Sequence, residues 1–143
     1  MNLTCASSYA LHAVVFMARQ KTDAPIASHK IADALDMPDR FILKVLKHLV
    51  DADLLQSIKG PRGGYKLARP ANEISVLSIV EEVDGAIDGK LPKTKMPAHS
   101  LDHKLRDICT ESADATRATL EKFHVSDLVS ASKQPARRKA KPA

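Results

Sequence analysis

Three of the chain's five glycines fall within Gly60-Pro61-Arg62-Gly63-Gly64-Tyr65, and no other segment restricts the fold as tightly. Leu54-Leu55-Gln56-Ser57-Ile58 runs into this stretch and Tyr65-Lys66-Leu67 leaves it, two short strand-like runs. Glycine tolerates positive φ, and Pro61 fixes its own φ near a turn value, so the chain reverses here at low steric cost. A tight β-hairpin is predicted. Lys59, Arg62 and Lys66 flank or occupy its turn. A hairpin with cations at its tip is shaped to reach a phosphate backbone or enter a groove.

Helices are predicted ahead of the hairpin. Leu3, Ala6, Ala10, Ala13, Val14 and Met17 recur at helical spacing over residues 3–20. Lys21 to Pro25 is polar and ends in proline, so it reads as a loop. Ser28 is placed to cap a second helix, with Ile31, Ala32 and Leu35 on its inner face. Asp36-Met37-Pro38 breaks that helix. Pro38 or Asp39 opens a third, in which Ile42, Val45, Leu46 and Leu49 form one stripe while Arg40, Lys44, Lys47 and His48 lie largely off it. Two short helices joined by a brief turn, the second with a basic outer face, match a helix-turn-helix. Followed directly by a hairpin, they have the order of a winged helix.

Beyond the hairpin, Ser75 is placed to cap a short helix containing Val76, Leu77, Ile79, Val80 and Val83, closed by Gly85. Residues 86–99 lack periodicity and read as a loop. A long helix is predicted over 100–123, where Leu101, Leu105, Ile108, Ser112, Ala115 and Thr119 alternate four and three apart, a coiled-coil-like spacing, with Cys109 beside them. Leu120 and Phe123 extend its apolar surface. Such a helix spans roughly 35 Å, more than a small winged helix covers, so a partner chain is the simplest cover. The expected fold is mainly α with a small β-hairpin: a winged helix-turn-helix over 1–85, a loop over 86–99, a dimerisation helix and C-terminal segment over 100–131, and a basic disordered tail over 132–143.

The net charge of +5 is unevenly spread. Residues 40–69 hold seven basic residues and only two acids, Asp51 and Asp53, while residues 132–143 hold five basic residues and no acid. A basic face of this kind suits an anionic polymer, and a merely solvated surface is the plain alternative. No apolar run approaches the ~18 residues of a membrane span, and the N-terminus lacks a signal-peptide pattern. Cys5 and Cys109 are far apart and form no CxxC, which favours a reducing cytoplasm. Phosphate loops, nucleophile elbows, His-Glu metalloprotease motifs and clustered carboxylates are all missing, so an enzyme is not expected.

The chain resembles the Rrf-type (IscR-, NsrR- and CymR-like) winged helix-turn-helix transcription regulators of bacteria. The resemblance runs from Met1 to about Leu128. It rests on Tyr9-Ala10-Leu11, Ile31-Ala32, the string from Gly60 to Pro70 that reads Gly-Pro-Arg-Gly-Gly-Tyr-Lys-Leu-Ala-Arg-Pro, Glu73-Ile74-Ser75-Val76, and Val125-Ser126-Asp127-Leu128. It implies a homodimer on a pseudo-palindromic double-stranded DNA operator. The helix beginning near Pro38 would enter the major groove, the wing would contact the minor groove, and the long helices would pair with help from the first helix. The family often has Arg where Lys59 stands and Gly where Arg62 stands. Arg suits a narrow minor groove better than Lys, so Arg62 is a candidate for the wing-tip role.

On this reading Arg40 and Lys44 are candidate base readers, with Phe41 either meeting thymine methyls or packing inward. Ser28 and Lys30 are candidate phosphate contacts near the second helix, where the family's usual polar residue is Ala27. Lys47, Lys59 and Lys66 supply phosphate affinity, and Gly60, Pro61, Arg62, Gly63 and Tyr65 form the wing. Many relatives ligate an iron–sulfur cluster through three cysteines in the loop before the long helix. Here that loop has none. Clusters generally need three or four ligands, mainly thiolates, so no cluster, no metal and no cofactor are expected. His12 is either a residual ligand or a partly buried residue at the dimer seam. His99 and His103, with Asp102, have a spacing that binds Zn²⁺ but little else in its favour. Cys5 and Cys109 are either packing residues or oxidant sensors. A repressor is expected, with a thiol- or metal-responsive regulator, or a winged helix that binds protein, as the alternatives.

Overall fold

Thr4 starts the first helix: its Oγ1 accepts a hydrogen bond from the Ser7 amide at 3.1 Å, satisfying one of the amides a helix start leaves free. The computed structural model describes residues 1–132 and follows the order α1 (Cys5–Ala18), α2 (Ser28–Leu35), α3 (Asp39–Asp51), β1 (Leu55–Ile58), β2 (Gly64–Leu67), α4 (Val76–Asp84), α5 (Ser100–Lys122) and α6 (Val125–Ser132). A single 3-10 turn over Ala71–Glu73, absent from the sequence reading, precedes α4. The expected fold class holds: helices with one two-stranded antiparallel hairpin. Most of the expected basic tail lies outside the described residues. Ser132, assigned to that tail above, is instead the last residue of α6.

The core is built from the predicted stripes. Ala10, Ala13 and Val14 of α1, Ile31 of α2, and Ile42, Leu46 and Leu49 of α3 are fully buried. Each large aliphatic side chain buried in this way contributes about 1.5–3 kcal/mol, which lets a core almost without aromatic rings hold. Two aspartates shape the turns. Asp36 ends α2 in the left-handed region (φ 51°), and the Met37 amide donates back to the Ala32 carbonyl at 2.9 Å. Asp53 repeats the device after α3 (φ 57°), with the Leu54 amide on the Leu49 carbonyl at 3.0 Å. The first sets the turn between α2 and α3; the second drops the chain straight into β1.

Leu55 pairs with Leu67, Gln56 with Lys66, Ser57 with Tyr65 and Ile58 with Gly64. At the tip the Gly63 amide donates to the Gly60 carbonyl at 2.9 Å. Arg62 is not in the left-handed region, so this four-residue turn is of the type I kind, with Pro61 in its favoured position. A contact invisible to local pattern then fixes the hairpin to the body: the Ile26 and Tyr65 backbones exchange hydrogen bonds of 2.8 and 2.9 Å. Gly64 (φ 152°) permits this approach, because a Cβ there would stand 2.3 Å from the Ile26 carbonyl oxygen. The same pairing corrects the expected Ser28 cap. It holds the chain extended through Ala27, which becomes the N-cap without a side-chain hydrogen bond, and Ser28 is already inside α2.

The long helix ends for a similar non-local reason. Phe123 is extended because its carbonyl accepts from the Val76 amide at 2.8 Å, and the Val125 amide donates to the Ile74 carbonyl at 2.9 Å. Within the segment 100–131, the helix expected over 100–123 is α5, and the C-terminal segment after it forms a second helix. Helix α6 turns back and packs on α1, with Val125 fully buried in the common core. At its other end α5 opens with a capping box: the Leu101 amide donates to His99 Nδ1 at 3.1 Å and the His99 amide to Asp102 Oδ2 at 2.9 Å.

Candidate nucleic-acid interface

Successive residues of a helix are rotated by about 100°, so Arg40, Leu43, Lys44 and Lys47 share an arc roughly 100° wide on α3. Ile42, Val45, Leu46 and Leu49 occupy the opposite arc and are buried; the first four are exposed. Leu43, which the sequence reading passed over, is 45% exposed. The two readings offered for Phe41 separate here. Its half-buried ring meets Tyr9 edge-on, with centroids 5.2 Å apart and planes at 79°, so it packs inward.

On α2, Lys30 is exposed and Ser28 half-buried. On the wing, Lys59, Gly60, Pro61 and Arg62 are exposed, while Gly63 and Lys66 are partly covered. Tyr65 departs from the expected wing surface: its ring packs against the core beside the Ile26 bridge. Among the described residues the salt bridges are Lys90–Asp88 at 2.8 Å and Arg117–Glu81 at 3.3 Å. Among the described residues, the cations of α3 and the wing thus form no salt bridge and keep their donors free for an outside anion. The Lys90–Asp88 pair is fully exposed; their mutual hydrogen bond and attraction lower the Asp88 carboxyl and raise the Lys90 ammonium.

Helix α5 offers a different face. Leu101 is 56%, Leu105 40% and Ile108 52% exposed, and Phe123 just past its end is 51% exposed. Ser112, Ala115 and Thr119 continue the same side in the open. Thr119 Oγ1 donates to the Ala115 carbonyl at 3.0 Å, which leaves less polar character facing out. The opposite side holds α5 to α4 through buried Ala113 and the Arg117–Glu81 pair.

The cysteines do not assemble a thiolate set. Cys5 is exposed at the start of α1, and Cys109 is half-buried in α5. Gly89 lies against the Cys109–Thr110 backbone, so closely that a Cβ on it would stand 2.4 Å from the Thr110 nitrogen. No group of three or more His, Cys, Asp or Glu side chains is placed to hold a metal among the described residues. With no cysteine in 86–99, the donors present do not fit an iron–sulfur cluster. His99 and Asp102, weighed above as zinc ligands, are engaged in capping α5. His12 is exposed, its Nδ1 2.7 Å from the Ser8 carbonyl. It borders an apolar cleft of about 340 Å³ walled by Leu11, Val15, Phe16, Leu35 and Leu128.

A helix pair with a basic outer helix, running into a hairpin tipped with cations, defines a winged helix-turn-helix protein. The chain belongs to the Rrf2 family, described as iron-dependent transcriptional regulators, whose profile matches residues 3–131. It is 33% identical to the regulator NsrR of Oceanobacillus iheyensis over 59% of this chain and 57% of that protein. It is 31% identical to the regulator IscR of Photobacterium profundum over 62% of this chain and 51% of that protein. Among solved structures, the cysteine regulator CymR of Bacillus subtilis shares the fold with a TM-score of 0.73 at 21% identity, covering 92% of this chain and 98% of that one. The family and the two curated relatives are transcription regulators, and the chain is a DNA-binding regulator of that family. No helix among the described residues is long and apolar enough to cross a membrane.

Proposed function

We propose that this chain is a cytoplasmic homodimeric repressor that binds a pseudo-palindromic operator and carries no iron–sulfur cluster. The observation that carries the DNA-facing half is the unneutralised row Arg40, Lys44 and Lys47 on the outer arc of α3, followed through Asp53 by the wing. In this reading α3 lies in the major groove, with Arg40 and Lys44 at base edges and Lys47 on phosphate. Arg62, projecting from a type I turn, enters the minor groove. The exposed stripe of α5 supports the second half: a two-fold partner covers Leu101, Leu105 and Ile108, and two α3 helices then meet successive major grooves. The thiolate count supports the absence of a cluster.

Selection from random DNA tests the whole reading. An inverted repeat with half-sites about one helical turn apart is expected, bound by two chains. Enrichment of a single unrepeated element, or of none, overturns it. Purification without oxygen should give colourless protein free of bound iron; visible absorption with bound iron refutes the cluster-free assignment. Gel shifts with Arg62→Ala should show weakened binding, and undiminished binding removes Arg62 from the wing-tip role.

A further inference from the structure

Leu43 breaks the pattern of its surroundings. It is a large aliphatic side chain, 45% exposed, on the arc of α3 that otherwise presents Arg40, Lys44 and Lys47. It lies on the far side of the helix from the buried stripe, so core packing does not require it. It is also not on α5, so the proposed dimer contact does not account for it. The helix already has its apolar quota in Ile42, Val45, Leu46 and Leu49, and a polar residue here would serve solubility better. Phe41, the other apolar side chain near this face, is turned inward against Tyr9. That leaves Leu43 as the large apolar side chain on the open arc of α3.

We propose that Leu43 reads sequence by packing against the C5-methyl group of a thymine in the major groove, one per half-site. The inference rests on the assignment of α3 to the major groove. Thymine is the base that presents a methyl there, and apolar side chains contact it in preference to the polar edges of other bases. Arg40, one turn before Leu43, and Lys44 and Lys47 beside it supply the phosphate and guanine contacts that hold the helix at that depth. Leu43 itself adds no charge, so its contribution is discrimination without salt dependence.

The test replaces thymine by deoxyuridine, one position at a time, in the duplex obtained by selection. This removes the methyl group and keeps every Watson–Crick bond. At one position per half-site the wild-type protein should bind about fourfold more weakly, the value of burying one methyl, and about fifteenfold with both half-sites changed. Leu43→Ala should bind thymine and uracil duplexes equally at that position, keep the salt slope of the wild type, and unfold at an unchanged temperature because the side chain is exposed. If uracil is neutral at every position, or if Leu43→Ala keeps the wild-type preference for thymine, the proposal is overturned. Selection that enriches no sequence brings down the major-groove assignment and this inference with it, whereas an enriched operator indifferent to uracil removes Leu43 alone.

Discussion

Helices α3 and α5 each turn one face to solvent, and the two faces are opposite in kind. On α3 the open arc is cationic, with Arg40, Lys44 and Lys47 around a single leucine. On α5 it is Leu101, Leu105 and Ile108 followed by small residues, with Phe123 at the end. Water accommodates the first face without cost, since charged side chains are well hydrated and have no buried partner to lose. The second face remains a liability until covered, by roughly 1 kcal/mol for each half-exposed large side chain. On the proposed reading one helix meets an anion and the other an apolar surface. Each of these two proposed contacts is tested by changing one face while leaving the other intact.

The largest effect should come from the α5 face. Ile108→Glu places a charge at the centre of the stripe, where pairing with a second copy would bury it unpaired. Sedimentation should show the variant as a monomer, and operator affinity should fall at least a hundredfold, because two half-sites are no longer held by one particle. Its α3 face is untouched, so weak binding to nonspecific DNA should persist. A variant that sediments like the wild type would show that α5 does not form the dimer.

Next is the seat of the wing. Gly64→Ala puts a Cβ against the Ile26 carbonyl at a φ that side chains rarely adopt, and should cost about 3 kcal/mol in denaturant melts. Gly60 also has positive φ (112°) but faces open space, so Gly60→Ala should cost only about 1 kcal/mol. Equal losses for the two variants would mean that the approach of Ile26 to the hairpin is not what requires Gly64.

Sequence alone revealed both faces. The α3 face was legible because its information is local: a 3.6-residue period separates Ile42, Val45, Leu46 and Leu49 from Arg40, Lys44 and Lys47. The α5 stripe was legible for the same reason. Contacts between segments distant in sequence were not. The Ile26–Tyr65 exchange shifted the cap of α2 back from the expected Ser28 to Ala27, and the pairing of Phe123 and Val125 with Ile74–Val76 turns the chain after α5 so that α6 folds onto α1. No local pattern announces such hydrogen bonds. Phe41 was ambiguous because its position on the helix borders both arcs, and only Tyr9 across the core decided it. Leu43 was overlooked for a related reason. By sequence α3 sorts into an apolar stripe and basic residues off it, and a leucine on the basic side belongs to neither group.

Smaller effects separate base reading from charge on α3 itself. Arg40→Ala should cost about 1–3 kcal/mol on the selected operator and little on scrambled DNA, since a base-reading contact is worth nothing where its base is absent. Lys47→Ala should weaken selected and scrambled duplexes alike, by only a few-fold at moderate salt. It should also reduce the slope of log affinity against log salt by about one, the counterions of a single phosphate. Titrations of both variants on both duplexes over a range of salt concentrations distinguish the two roles. If Lys47→Ala lost affinity only on the operator and kept the full salt slope, Lys47 would join Arg40 among the base readers. The cationic arc would then specify sequence along its whole length instead of anchoring the helix at its far end.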